Sequence, residues 1–295
     1  MTHFLKRLSV PDPSATPTAV RYLAIVGLVA LAVTLSACGG GSDADNQQVT
    51  AVQVRALAYS QLATINVAGV YLRSGMTATS GACRDPVFNV AKSTPELAVL
   101  NCTIAVTGVH SLTISGTNGK LLYTGNITVP QPQVNVTTSQ GSFIMELNPA
   151  AAPLSVNNFL TYSSSGYYNG TLFHRVIPGF VAQGGGYTRG LIKKPGQLGP
   201  IALESNNGLL NTRSTLAMAR TNAPNSATSE FFINLVDNLS LDYQSTTSPG
   251  YAVFGKVVSG MDIIDKIAAL PTAPFAGFQD VPATDITIQL VLQIQ

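Results

Sequence analysis

The segment Gln133–Leu147, QVNVTTSQGSFIMEL, alternates apolar and polar residues on both sides of a Ser-Gln-Gly-Ser turn. Side chains with a period of two give a hairpin with one buried face, and that face needs further strands or a helix to cover it. The rest of the chain supplies them. Strand-type runs follow at LFHRVI, GFVAQG, TLAMAR, FFINLV and YAVFGKVV, and DITIQLVLQI reads as a terminal strand. Helical signals occur in two places. APLSVNNFLTYSSSGYY opens near Pro153, spaces Leu154, Phe159 and Leu160 by mixed intervals, and stops at Gly166; GMDIIDKIAAL is closed by Pro271. Many strands with two helices far apart in sequence predict a mainly β fold over residues 133–295: a closed antiparallel barrel with a helix capping each end.

Upstream, ATINVAGVYL, AVLNCTIAV, SLTISGT and LLYTGNITVP are short β runs, with TNGK as a hairpin signal between the last two. They predict a small β-sandwich-like domain over residues 51–129. Its bland reading, a spacer or docking module, carries most weight because no chemical cluster falls in it. Pro130 and Pro132 make residues 130–132 a stiff linker. A chain with 45% hydrophobic and 10% charged residues, 26 Gly and 17 Pro suits turn-rich β domains and excludes a disordered chain.

Residues 1–37 read as a leader. Lys6, Arg7 and Arg21 precede the apolar run Leu23–Leu35, which is shorter than the ~20 residues of a membrane-spanning helix. LSAC, ending at Cys38, resembles the bacterial lipobox, in which the Cys sulfur takes a lipid, and residues 38–50 then read as a flexible tether. The expected location is a bacterial envelope, lipid-anchored at Cys38; Gly39 after the Cys favours an outer membrane facing a periplasm. Removing the leader takes Lys6, Arg7, Arg21 and Asp12 from 16 basic and 14 acidic residues and leaves a formally neutral protein. Neutrality without a Lys/Arg cluster excludes nucleic acid as a partner.

Two cysteines remain, Cys83 and Cys102. An even number in an exported chain favours a disulfide, with two buried thiols as the alternative. His110 and His174 show no ligand spacing with either, so no metal site is expected.

One stretch stands apart. In LFHRVIPGFVAQGGG, Arg175 sits among Leu172, Phe173, Val176, Ile177, Phe180 and Val181. With NTRSTLAMAR, SATSEFFINLVDN and YAVFGKVVSGMDIIDKI, in this order, the stretch resembles the cyclophilins, peptidyl-prolyl cis/trans isomerases, and is most similar to their bacterial type. The resemblance covers residues 133–295. It implies an enzyme that needs no cofactor, acts on proline-containing polypeptides and assists the folding of exported proteins. The alternative from another class is a non-catalytic chaperone or envelope scaffold that holds proline segments in the same cleft.

The resemblance also implies the site. Arg175 would stabilise the twisted prolyl amide, Gln183 would brace it and meet the substrate backbone, and Phe180 and Phe232 would complete the catalytic set. Val181, Leu241 and Tyr251 would finish the apolar cup with Met218 alongside, and Ala219 with Arg220 would form the edge on which the peptide lies. Four positions depart from the family pattern: Glu230 for the usual Gln, Val181 for Met, Tyr251 for a frequent His, and Ser240 where a large aromatic is usual. An acceptor-only carboxylate at Glu230 is placed to pair with Arg175 and dull it, so Glu230→Gln is expected to raise activity. The missing aromatic is expected to weaken cyclosporin binding. His174 faces away on its strand and reads as structural. GGG at 184–186 reads as a turn, since no Lys-Ser/Thr and helix follow it.

Overall fold

The computed structural model describes residues 44–295. The leader and Cys38 lie outside the described residues.

The N-terminal part contains seven strands: β1 Gln48–Arg55, β2 Leu62–Val70, β3 Thr77–Ser80, β4 Cys83–Phe88, β5 Leu97–Ile104, β6 Gly108–Ser115 and β7 Leu121–Val129. They form a four-stranded sheet, β1-β2-β5-β4, and a three-stranded sheet, β3-β6-β7. The inward residues of both sheets, among them Ile65, Leu100 and Ile104 from the first and Leu112, Ile114 and Ile127 from the second, share one buried cluster. This is the two-layer packing that alternating strands require. Cys83 and Cys102 lie on paired strands and are joined by a disulfide, with their Cα atoms 5.5 Å apart.

The last residues of the stretch expected as a tether, 38–50, belong to the first strand. β1 begins at Gln48, and Gln47 is buried, donating to the Tyr71 carbonyl and accepting from the Thr117 backbone N–H. A polar side chain with both ends satisfied inside the sandwich fixes the chain there.

The remaining chain runs β8 Gln133–Thr138, β9 Gly141–Leu147, α1 Pro153–Ser164, β10 Phe173–Ile177, β11 Val181–Gly184, β12 Tyr187–Thr188, β13 Ile192–Lys193, β14 Thr215–Met218, β15 Phe231–Asn234, β16 Val253–Ser259, α2 Met261–Ala268, β17 Thr272–Phe275, β18 Phe278–Pro282 and β19 Ile288–Gln293. Eight of these make one antiparallel sheet in the order β10-β11-β15-β14-β16-β9-β8-β19. It curls until its two ends meet at a bridge between Leu172 and Thr287, with Phe173 N–H donating to the Ile286 carbonyl and Ile288 N–H to that of Thr171. The interior is aromatic: Phe159 stacks on Tyr168 at 5.0 Å between centroids and meets Phe231 edge-on at 5.5 Å.

α1 starts at Pro153, whose missing N–H is no loss in a first turn. Ala152 carries no capping side chain, and Glu204 from a distant loop does that work, accepting from the backbone N–H groups of Leu154 and Ser155 and from the Ser155 hydroxyl at 2.7–2.8 Å. The carboxylate also complements the positive end of the helix dipole. Among the described residues no helix is long and apolar enough to cross a membrane.

The sandwich and the barrel touch through Tyr59. It is buried against the barrel core, its hydroxyl donates to Asn157 Oδ1 at 3.0 Å, and Gln293 Nε2 donates to its carbonyl at 3.0 Å.

Candidate active site

Strand parity decides what faces outward. Along β11, β14, β15 and β16, the residues Ala182, Leu216, Met218, Phe231, Ile233 and Phe254 enter the barrel core. The alternating residues Val181, Ala217, Phe232 and Val253 form a second apolar cluster on the outer wall. Phe180, Leu209, Ala219, Leu241 and Tyr251 pack around that cluster. The result is a cleft of about 330 Å³ lined by Arg175, Phe180, Val181, Gln183, Ala219, Arg220, Phe232, Leu241 and Tyr251. Met218 and Glu230, both expected at the site, do not line it. Met218 is 1% exposed inside the barrel, because Ala217 takes the outward position and neighbours on a strand face opposite ways. A larger cavity, about 560 Å³, lies where the sandwich meets α1 and β19, but no charged side chain among the described residues lines it.

Arg175 reaches the cleft through an irregularity. The β10–β11 register shifts between Phe173 and Arg175, so that Phe173 remains in the core while Arg175 pairs directly across from Gln183. Such shifts re-aim side chains. Arg175 Nη1 lies 3.4 Å from Gln183 Oε1, and no carboxylate among the described residues forms an ion pair with it.

The expected pairing of Glu230 with Arg175 is therefore corrected. Glu230 instead accepts from Gln183 Nε2 at 2.9 Å and lies 3.3 Å from His174 Nε2. Burial pushes the Glu230 carboxyl up, but the hydrogen bond and charge of His174, the Gln183 bond and the charge of Lys193 together outweigh it and hold Glu230 below its ordinary range. Burial, and secondarily the Glu230 charge, pushes the Tyr187 phenol up. Gly186 makes this arrangement possible: a Cβ there would sit 2.5 Å from Glu230 Cγ. Gly185, at φ +89°, turns the chain just before it.

The rim is held by polar groups that have no signal in the linear sequence. Asn238 Nδ2 donates to the Phe180 carbonyl and to Asn234 Oδ1, and Asn234 Nδ2 donates to Asn211 Oδ1. Asn211 in turn donates to the carbonyl of Leu241 and to Asp242 Oδ1, and the Tyr251 N–H donates to the same Leu241 carbonyl. Phe180, Leu241 and Tyr251 are thus positioned by one buried amide network. On the far side, the Arg220 guanidinium lies 4.7 Å over the Tyr251 ring, and Tyr251 meets Phe232 edge-on at 5.5 Å. Ser240, where the resemblance leads one to expect an aromatic, is exposed on the turn beside Leu241.

An outward apolar cup with a guanidinium at its rim suits a proline ring and the amide that precedes it. Residues 133–291 match the family model described as cyclophilin type peptidyl-prolyl cis-trans isomerase/CLD. The chain belongs to this family. Its match begins where β8 begins. A peptidyl-prolyl cis-trans isomerase of Acinetobacter baylyi is 50% identical over 155 residues, which are 52% of this chain and 81% of that protein. An isomerase of Streptomyces antibioticus is 49% identical over 158 residues, 53% of this chain and 95% of that protein. Peptidyl-prolyl cis-trans isomerase B of Escherichia coli is 49% identical over 156 residues, 52% and 94% of the two chains. The chain is thus a cyclophilin-type isomerase carrying an N-terminal β-sandwich.

Proposed function

We infer that the cleft isomerises prolyl bonds of exported proteins at a bacterial envelope, with the protein held to the membrane by lipid on Cys38. Rotation about a peptide bond faces a barrier of about 18–20 kcal/mol because the planar amide is resonance-stabilised. Twisting breaks the resonance and leaves a lone pair on the prolyl nitrogen. A donor aimed at that nitrogen binds the twisted form better than either planar one, and this differential binding is the whole of the catalysis. No covalent step is needed.

The observation that carries this reading is Arg175 at the rim of the cup built by Phe180, Val181, Phe232, Leu241 and Tyr251, braced by Gln183 and with no carboxylate paired to it among the described residues. A cleft that only held peptides would not need a charge at the point where the amide turns. Export is supported by the Cys83–Cys102 disulfide, which suits an oxidising compartment, and by the LSAC boundary before Cys38. Cell fractionation with an isomerase assay on each fraction tests both parts together. Activity should sediment with envelope membranes in the wild type and be lost from them in Cys38→Ser. Activity that stays membrane-bound in Cys38→Ser would refute the anchor, and membranes without activity would refute the enzyme's place there.

The exposed Ser240 leads to a pharmacological expectation. A packed aromatic contributes about 150–250 Å² of contact, and none stands at this turn. Cyclosporin should inhibit poorly, and Ser240→Trp should tighten inhibition. A titration showing nanomolar inhibition of the wild type would mean that Tyr251 or Tyr243 fills the gap.

A further inference from the structure

Behind the cleft wall, the side chains of His174, Glu230 and Gln183 form a chain of contacts that ends on the catalytic guanidinium. His174 on β10 is 2% exposed, and its Nε2 lies 3.3 Å from Glu230 Oε2. Its ring is held edge-on by Tyr187 at 4.7 Å and Phe278 at 6.1 Å between centroids, and its Nδ1 is buried with no partner among the described residues. With Nδ1 left without a partner, the polar contact this imidazole makes is the one from Nε2 to Glu230. Glu230, just before β15, accepts from the Gln183 amide nitrogen at 2.9 Å, and the Gln183 carbonyl oxygen then faces Arg175 Nη1 at 3.4 Å.

The chemistry of the middle link sets the direction of the whole chain. A primary amide presents a donor on one side and an acceptor on the other, and either orientation fits the same space. An ionised carboxylate only accepts. Gln183 must therefore turn its NH₂ toward Glu230, which leaves its oxygen for Arg175. Adding a proton to Glu230 supplies an O–H that must itself find an acceptor. His174 Nε2, 3.3 Å away, already faces the carboxyl as a donor, so the O–H takes the Gln183 oxygen once that amide turns over, and this puts the NH₂ toward the guanidinium, donor against donor. We propose that His174 and Glu230 are positioning residues for the isomerase: the buried pair fixes the Gln183 amide with its oxygen on Arg175, and the enzyme works only while Glu230 is ionised. This rests on the reading that Arg175 is the electrostatic catalyst.

The groups acting on Glu230 are His174 from β10, Gln183 from β11 and Lys193 from β13, while Tyr187 from β12 feels its charge. Burial opposes ionisation, and the hydrogen bond and charge of His174 head the contributions that offset it. The sign follows. Glu230 is held below its ordinary range, so activity is complete at neutral pH and is lost only as pH falls through that depressed value. Removing His174 leaves burial less opposed and moves the loss to higher pH.

The test is NMR exchange spectroscopy on a blocked, uncharged Ala-Pro peptide between pH 3 and 7, with wild type, Glu230→Gln, His174→Phe and Arg175→Ala. Wild type should show one acid limb, placed below the ordinary glutamate range. Glu230→Gln should be about five-fold slower at neutral pH, chiefly in kcat, because its amide no longer dictates the orientation of Gln183, and should have no acid limb. A folded His174→Phe should show its limb at higher pH. The proposal is overturned if Glu230→Gln keeps the wild-type limb, or if folded His174→Phe loses activity at the same pH as wild type. Where His174→Phe does not fold, Glu230→Gln decides alone. Arg175→Ala separates the two levels: a fully active variant overturns the catalytic reading beneath the proposal, whereas an inactive one beside an unchanged limb in Glu230→Gln overturns only the positioning role.

Discussion

Arg175→Ala lowers kcat/KM for a prolyl peptide by about two to three orders of magnitude, the typical loss when one preorganised electrostatic donor is removed. The fold should survive. Arg175 is half-buried, its guanidinium donates to Gln183, and Val176 and Phe173 of the same strand hold β10 in the core. Far-ultraviolet circular dichroism beside the kinetics separates the two effects. The loss should appear in kcat more than in KM, because the guanidinium acts on the twisted amide rather than on the bound planar peptide. A folded Arg175→Ala enzyme with wild-type rates would make Arg175 a structural residue.

The second large effect lies in the sandwich. Cys83 and Cys102 are 19 residues apart, and a crosslink closing a loop of that size stabilises by about 3 kcal/mol through the chain entropy it removes from the unfolded state. The double variant Cys83→Ala/Cys102→Ala should lose that amount in urea unfolding. Isomerase activity in dilute urea should persist, since the sandwich and the barrel have separate buried clusters. Equal losses of sandwich signal and activity at the same urea concentration would show instead that the contact through Tyr59 makes the two parts unfold as one. Unchanged stability would mean the crosslink contributes nothing.

What could be read from the sequence follows burial. In the sandwich, β2, β5, β6 and β7 announce themselves through alternation because each packs one face into the shared core. β1, β3 and β4 do not. All three are sheet edges in the observed order, and β4 contains Pro86 and a register shift between Arg84 and Val87. Edge strands with half-exposed faces and a proline carry no clean period. In the barrel, the residues of the cup were legible from motif order, but motif order does not say which way a side chain points. That is why Met218, adjacent to the outward Ala217, falls inside the barrel. Ala217 and Val253, buried in the outer-wall cluster on which the cleft residues pack, were missed because small aliphatic residues in a strand look the same on either face.

Glu230 shows a different limit. Its type was read correctly as an acceptor, but its partner depends on the His174 ring reaching it from behind the wall. No spacing in the chain encodes a contact between β10 and the residue that precedes β15. The same holds for Asn211, Asn234 and Asn238, whose amides meet only after the loops around the cleft have folded. Glu230→Gln is accordingly expected to slow the enzyme rather than relieve it, since no carboxylate among the described residues pairs with Arg175.

The central claim is that this cleft turns the prolyl bond rather than merely holding it. The direct measurement is the cis/trans exchange rate of a proline peptide by NMR in the presence of a catalytic amount of residues 38–295. Exchange that accelerates in proportion to enzyme, with cis and trans peptide still at their solution ratio, is the result predicted. Peptide resonances that shift on binding while the exchange rate stays at its uncatalysed value would contradict the claim and leave a proline-holding protein.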